Sequence, residues 1–335
     1  MKQHRNLPFF VPHAGCPHCC VFCSQVKITG HCAEKDSKTE ISELRDMLDS
    51  ATGDFKESQI GFFGGSFTAI EKDRMVSLLE TANEYIKKGT ATDIRISTRP
   101  DCINDEILNL LAKYNVKNIE LGIQSTDNLV LEACERGHTA DQSFTAAKLV
   151  VEKGFVFGGQ MMIGLPKSTL ESEIQTAKDI VAMGAKEARI YPTVVFEGTK
   201  LYDMAQKGEY TPLDLEDAVN RTAKCYKIFL DAGVKVLRIG LHASENLAKA
   251  PMGANHPSMG ELVKSYVYTD IIAEMAGNCR DKILTVKIRK EDISKLRGYN
   301  SAAINRLKAL TRATDIEIIP CVLPEFQPLI EVRSF

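Results

Sequence analysis

The chain has 335 residues, 44% of them hydrophobic, and 42 Lys and Arg against 44 Asp and Glu give a formal charge of −2. This is enough apolar material for one large domain with an appendage or for two domains, and the near-neutral balance excludes a global basic field for nonspecific nucleic-acid binding. No apolar run reaches the ~18 residues of a membrane-spanning helix, Pro8 and Pro12 interrupt any signal-peptide core, and ten dispersed cysteines are no secreted disulfide framework, so a cytoplasmic protein with reduced thiols is expected.

The first predicted strand covers residues 7–11. Directly after it come Cys16, Cys20 and Cys23, spaced three residues and then two within Cys-Pro-His-Cys-Cys-Val-Phe-Cys. Thiolates this close on a short loop can converge on one face of an iron–sulfur cube and leave the fourth iron open to a small molecule. A zinc site is the alternative, because Cys19 creates two interleaved Cys-x-x-Cys pairs and His13, His18 and His31 are at hand. Adjacent Cys19 and Cys20 side chains diverge on most backbones, so Cys19 is expected to be a bystander. The other cysteines are expected to be ordinary small side chains.

Further strands are predicted at 59–63, 93–97, 118–122, 155–163, 187–195 and 235–239, with helices between them. In 71–88 Met75, Leu78, Leu79, Ala82 and Ile86 mark one helical face. Ser168 with Glu171 signals a capping box for a helix through Val181, and Thr211-Pro212 signals the start of the next. Repeated strand–helix units imply parallel strands with right-handed crossovers, hence an α/β fold of the partial (β/α)6 TIM-barrel type over 1–240, with its chemistry at the carboxyl ends of the strands. Residues 241–335 read as a C-terminal extension: a Pro/Gly/His-rich loop over 242–260, a helix over 261–276, and a small α/β unit from 282–288, 302–310 and 316–319.

Polar motifs follow the strands in turn: the cysteine loop, Gly64-Gly65-Ser66, Ser97-Thr98-Arg99-Pro100-Asp101, Gly122-Ile123-Gln124-Ser125, the run from Gln160 to Pro166, and Tyr191-Pro192-Thr193. Each is weak alone, since a glycine pair is usually a turn, but they share one end of the strands.

On these residues the chain resembles the radical S-adenosylmethionine (SAM) superfamily, whose pattern Cys-x-x-x-Cys-x-aromatic-Cys is met by Cys16, Cys20, Phe22 and Cys23. The order of the later motifs is similar to the radical SAM part of the Elongator catalytic subunit, in the stand-alone bacterial form, with kinship to oxygen-independent coproporphyrinogen oxidase. The resemblance covers roughly residues 7–240. It implies a 4Fe–4S cluster on Cys16, Cys20 and Cys23, reductive cleavage of SAM to a 5′-deoxyadenosyl radical, and a reductant such as flavodoxin or ferredoxin. It further implies Phe22 near the adenine, Gly64, Gly65 and Ser66 along the methionine moiety, Gln124 and Arg136 reaching SAM, and Gln160 where relatives bind the ribose. Ser97 departs from the glutamate common there. The acetyltransferase domain of the Elongator subunit has no room in this chain, so acetyl transfer is not expected.

Three functions follow for comparison: modification of RNA such as tRNA, anaerobic small-molecule chemistry of the coproporphyrinogen-oxidase type, or a noncatalytic zinc module. Tyr191 is a candidate for the substrate step, against a plain packing role. Residues 241–260, with Arg238, His242 and His256, are expected to cover the barrel mouth, and Lys287, Arg289 and Lys290 make the tail locally basic, for docking or only for stability.

Overall fold

The structure, a computed structural model, describes residues 5–11, 16, 20–24, 36–51, 58–242, 245–297 and 301–334. From the first strand, β1 (Arg5–Val11), the chain runs through α1 (Ser37–Asp49), β2 (Ser58–Gly64), α2 (Lys72–Lys87), β3 (Asp93–Thr98), α3 (Asp105–Ala112) and β4 (Val116–Gln124). It continues through α4 (Asn128–Ala133), α5 (Ala140–Glu152), β5 (Val156–Ile163), α6 (Leu170–Ala182), β6 (Glu187–Pro192) and β7 (Val194–Val195). Then come α7 (Lys200–Gln206), α8 (Leu215–Asp231) and β8 (Lys235–Ile239). Seven of these strands pair in parallel in the order β1-β2-β3-β4-β5-β6-β8, a sequential curl that forms a half-barrel.

Alternation along the strands gives the sheet two unlike faces. Ile60, Phe62, Ile94, Ile96, Ile119, Leu121, Phe157, Met161 and Ile190 are buried and point outward. They pack in one apolar cluster with helix residues such as Leu44, Leu78, Val150, Ile180 and Phe229. Gly159 belongs to this face, since a Cβ there would fall 2.4 Å from Ile180. The concave face is polar. Arg95, wholly buried, lies 2.9 Å from Glu120 and 2.7 Å from Glu187, and its Nε donates to Gln59 at 3.0 Å. Asn118 donates to Glu187 at 3.0 Å, and Arg189 Nη2 to Glu120 at 3.1 Å. Burial alone would raise the Glu187 carboxyl, but Arg95 and Asn118 hold it below its usual range.

Several helix starts differ from expectation. The helix expected to be capped by Ser168 is capped by Thr169, in a capping box with Ser172, while the Ser168 hydroxyl donates to Glu173 at 2.9 Å. The helix expected after Thr211 begins at Leu215, capped by Asp214, and the short α7 precedes it. The segment 187–195 splits, because β7 leaves the barrel to pair antiparallel with β9 (Met252–Gly253). The stretch read as a loop thus holds this ladder and, before it, α9 (Glu245–Ala248). The next helix, α10 (Met259–Ala276), starts two residues earlier than expected and packs on α8.

The extension continues with β10 (Lys282–Arg289), α11 (Ile293–Arg297), α12 (Ala302–Thr311), β11 (Asp315–Cys321) and β12 (Leu329–Ser334) in a sheet ordered β11-β10-β12. Strand β12, mostly exposed and at an edge, is a further element that the sequence pattern did not announce. Leu284, Val286, Leu296 and Leu307 belong to the same apolar cluster as the barrel helices.

Candidate active site

The sequence motifs come together at the carboxyl ends of β1 to β6. Backbone bonds fix the cysteine loop: Val21 N–H donates to the Cys134 carbonyl at 3.1 Å, and the Val21 carbonyl accepts from Leu201 N–H at 2.8 Å. Val21 belongs to a small apolar cluster with Val195 and Leu201, against which Phe22 and, from the segment after β8, Met252 also pack. Cys16 and Cys23 are exposed, Cys20 is buried, and Cys16 Sγ lies 3.4 Å from Ser66 Oγ. The turn after β2 is drawn against β1, with Gly65 N–H donating to the Val11 carbonyl at 2.9 Å. Gly64 has φ +108°, and a Cβ there would lie 3.0 Å from the Val11 oxygen, so glycine is required by conformation and by space.

Two buried arginines surround Cys20. Arg136 Nη1 donates to its sulfur at 3.0 Å, and Arg136 Nη2 donates to the Gly122 carbonyl at 2.6 Å. Arg136 Nε is buried and has no hydrogen-bond partner among the described residues. Arg99 Nη1 stands 4.0 Å from the same sulfur, with the rest of its guanidinium bound to both oxygens of Asp101 at 2.9 and 3.0 Å and to the Arg136 carbonyl. Burial disfavours its charge, yet Asp101 keeps the Arg99 guanidinium above its ordinary value.

Gln124 is buried beside this group at a β-bulge with φ +67°, and its Oε1 accepts from Gln160 Nε2 at 3.4 Å. A Cβ on Gly122 would lie 3.0 Å from Gln124 Nε2, so the missing side chain lets Gln124 and Arg136 share the space. The structure therefore brings Cys20, Gln124, Arg136 and Gln160 together around Gly122, sets Cys16 by Ser66, and puts Tyr191 farther round, with its hydroxyl 3.4 Å from Arg189.

Arg99 and His138, neither of which is assigned a role from the sequence, lie buried beside these residues. His138 is 4% exposed, and its pKa is pushed down to about 3 by burial and then by Arg136 and Arg99, so it is neutral. Asp101, 3.9 Å from Nδ1, and the Ile123 backbone offset this only in part. Arg99 lay within a motif already singled out, whereas His138 had no local signal.

Among the described residues no three Cys, His, Asp or Glu side chains converge closely enough for one metal ion, and His13, His18, Cys19 and His31 lie outside those residues. Nor is any described helix long and apolar enough to cross a membrane. In the tail Lys287 pairs with Glu331, Arg289 with Asp292 at 2.9 Å, and Lys308 with Asp315 at 3.0 Å, so much of its positive charge is answered within it.

Comparison with known proteins fits this geometry. The family model of the radical SAM superfamily matches residues 10–180, and that of a radical SAM C-terminal domain matches 185–269. The chain belongs to the radical SAM superfamily, whose members are SAM-dependent enzymes; membership implies SAM and a 4Fe–4S cluster. It is 32% identical over 227 residues to a protein of Methanocaldococcus jannaschii described as uncharacterized, covering 64% of this chain and 69% of that one. To the tRNA uridine(34) acetyltransferase of the same organism it is 31% identical over 189 residues, 56% of this chain and 34% of the relative, so it spans about a third of that enzyme. The solved structure of an N-terminally truncated Methanocaldococcus infernus Elp3 shares the fold with a TM-score of 0.62 and 22% identity, over 79% of this chain and 63% of that chain.

Proposed function

We propose that this protein is a radical SAM enzyme that holds a 4Fe–4S cluster on Cys16, Cys20 and Cys23, binds SAM across the ends of β1 to β5, and modifies RNA. The observation that carries the reading is the convergence of Cys20, Gly122, Gln124 and Arg136, with Gly64 at the adjoining turn. This donor set fits both groups. Three thiols suit an iron–sulfur cluster with one open iron, and a buried guanidinium with a spare Nε suits a carboxylate. The cluster, when bound, supplies the electron for cleavage of the SAM sulfonium.

The chain's own residues do the rest. Arg136 and Arg99 set positive charge beside the Cys20 sulfur, and Gly64 lets the backbone approach the methionine end of SAM. Gln124 and Gln160 offer amide groups for its polar atoms, and Phe22 offers a ring for the adenine. Met252, paired with Val195, packs against the same apolar cluster as Phe22, and its segment helps keep solvent from this mouth. RNA is favoured as substrate by the likeness to a tRNA uridine(34) acetyltransferase. Mass-spectrometric comparison of RNA nucleosides from cells with and without the gene tests the substrate. Loss of one modified nucleoside is expected; an unchanged set with an altered small metabolite would contradict it.

A further inference from the structure

Along the concave face of the half-barrel the charges are paired from β3 to β6, and one arginine at the β8 end stands outside these pairs. Arg95 and Arg189 are matched by Glu120 and Glu187, each of which already faces at least one of them. Arg238, half-buried on β8 and in register with Arg189, has no ion pair with a carboxylate among the described residues. Its Nε donates to the Gly240 carbonyl at 3.1 Å. Partial burial, offset by Tyr191 but reinforced by Arg189, holds its guanidinium below its usual value. The same field acts on His242, whose ring reaches solvent but is held below its normal range by partial burial, Arg238 and Arg189.

We propose that this β6–β8 side is an oxyanion site, in which Arg238, with Tyr191 beside it, takes a phosphate of the substrate. The proposal rests on the reading of the protein as a radical SAM enzyme acting on RNA, whose every nucleotide carries such a group. A cation drawn half out of water beside a second cation is stabilised by an anion, and a guanidinium can grip phosphate with two parallel hydrogen bonds. Position separates this anion from SAM. Gln160, Arg189 and Arg238 are neighbours in register on β5, β6 and β8, so Arg238 stands two strand spacings, about 10 Å, from Gln160. That is room for a substrate group next to the cofactor, whereas the SAM carboxylate is assigned to Arg136, reached from β4.

Two measurements on the cluster-loaded full chain test this. Phenylglyoxal labelling of Arg238, followed by mass spectrometry, is expected to slow about tenfold in saturating inorganic phosphate and to stay unchanged in SAM. Protection by SAM but not phosphate, equal protection by acetate, or no protection would overturn the proposal. In the second, Arg238→Gln is expected to weaken binding of transcribed tRNA about tenfold, with part of the loss recovered in Arg238→Lys, while the SAM dissociation constant holds and reports an intact fold. Unaltered tRNA binding in Arg238→Gln would also overturn it. Failure of the wild type to bind SAM would sink the radical SAM reading instead, and leave the phosphate result to be judged alone.

Discussion

Arg136 and His138 are two residues apart and do different work. Arg136 is tied to the Cys20 sulfur and the Gly122 carbonyl, and its Nε has no hydrogen-bond partner among the described residues. Arg136→Ala is expected to weaken SAM binding by roughly tenfold or more, with iron content retained; unaltered affinity in isothermal titration would contradict the assignment. Single Cys16, Cys20 or Cys23→Ala variants are expected to lose the cluster on anaerobic reconstitution, and Cys19→Ala to keep it. His138 gives a pH effect with a definite sign. Its folded pKa, near 3, is below the unfolded value of about 6.5, so the unfolded chain takes up the proton first as pH falls. Its contribution is complete above about pH 6.5 and is lost at about 1.4 kcal/mol per pH unit below that. Urea unfolding between about pH 6.5 and 5 should show this slope, and His138→Gln should flatten it.

At the scale of elements, local patterns located strands and helices well and their ends less well. Parallel β/α units were legible because each apolar run is followed by a helix-forming stretch, and the motifs at the strand ends were legible because a strand's carboxyl end adjoins its loop. Helix starts failed where neighbouring hydroxyls compete. Ser168 and Thr169 carry the same capping signal, but Glu173 draws Ser168 into a contact with Gly164 N–H and Arg221 that the sequence does not display. Thr169→Ala should therefore cost about 1 kcal/mol. Glu173→Ala should cost about 3 kcal/mol, since it strands Arg221 and a buried backbone donor. Denaturant midpoints at constant slope would check both. Pro212 did not open α8 because Leu213 is drawn inward against Gly164, leaving the cap to Asp214.

For the whole molecule, the polar lumen was written in the sequence yet not readable as such. Asp93-x-Arg95, Asn118-x-Glu120 and Glu187-x-Arg189 alternate with apolar residues, a pattern that normally denotes a sheet with one wet face. Only the curl of seven strands turns that face inward and makes its charges answer one another. Arg95→Ala should thus be among the most damaging substitutions, at about 3–5 kcal/mol, because Glu120 and Glu187 would stay buried with less counter-charge. The central claim, that the protein holds a cluster with an iron open to SAM, is tested most directly by electron paramagnetic resonance of the anaerobically reconstituted, dithionite-reduced protein. Addition of SAM is expected to shift the 4Fe–4S signal, with methionine and 5′-deoxyadenosine released on turnover. A signal unmoved by SAM, together with no measurable SAM binding, would contradict the account.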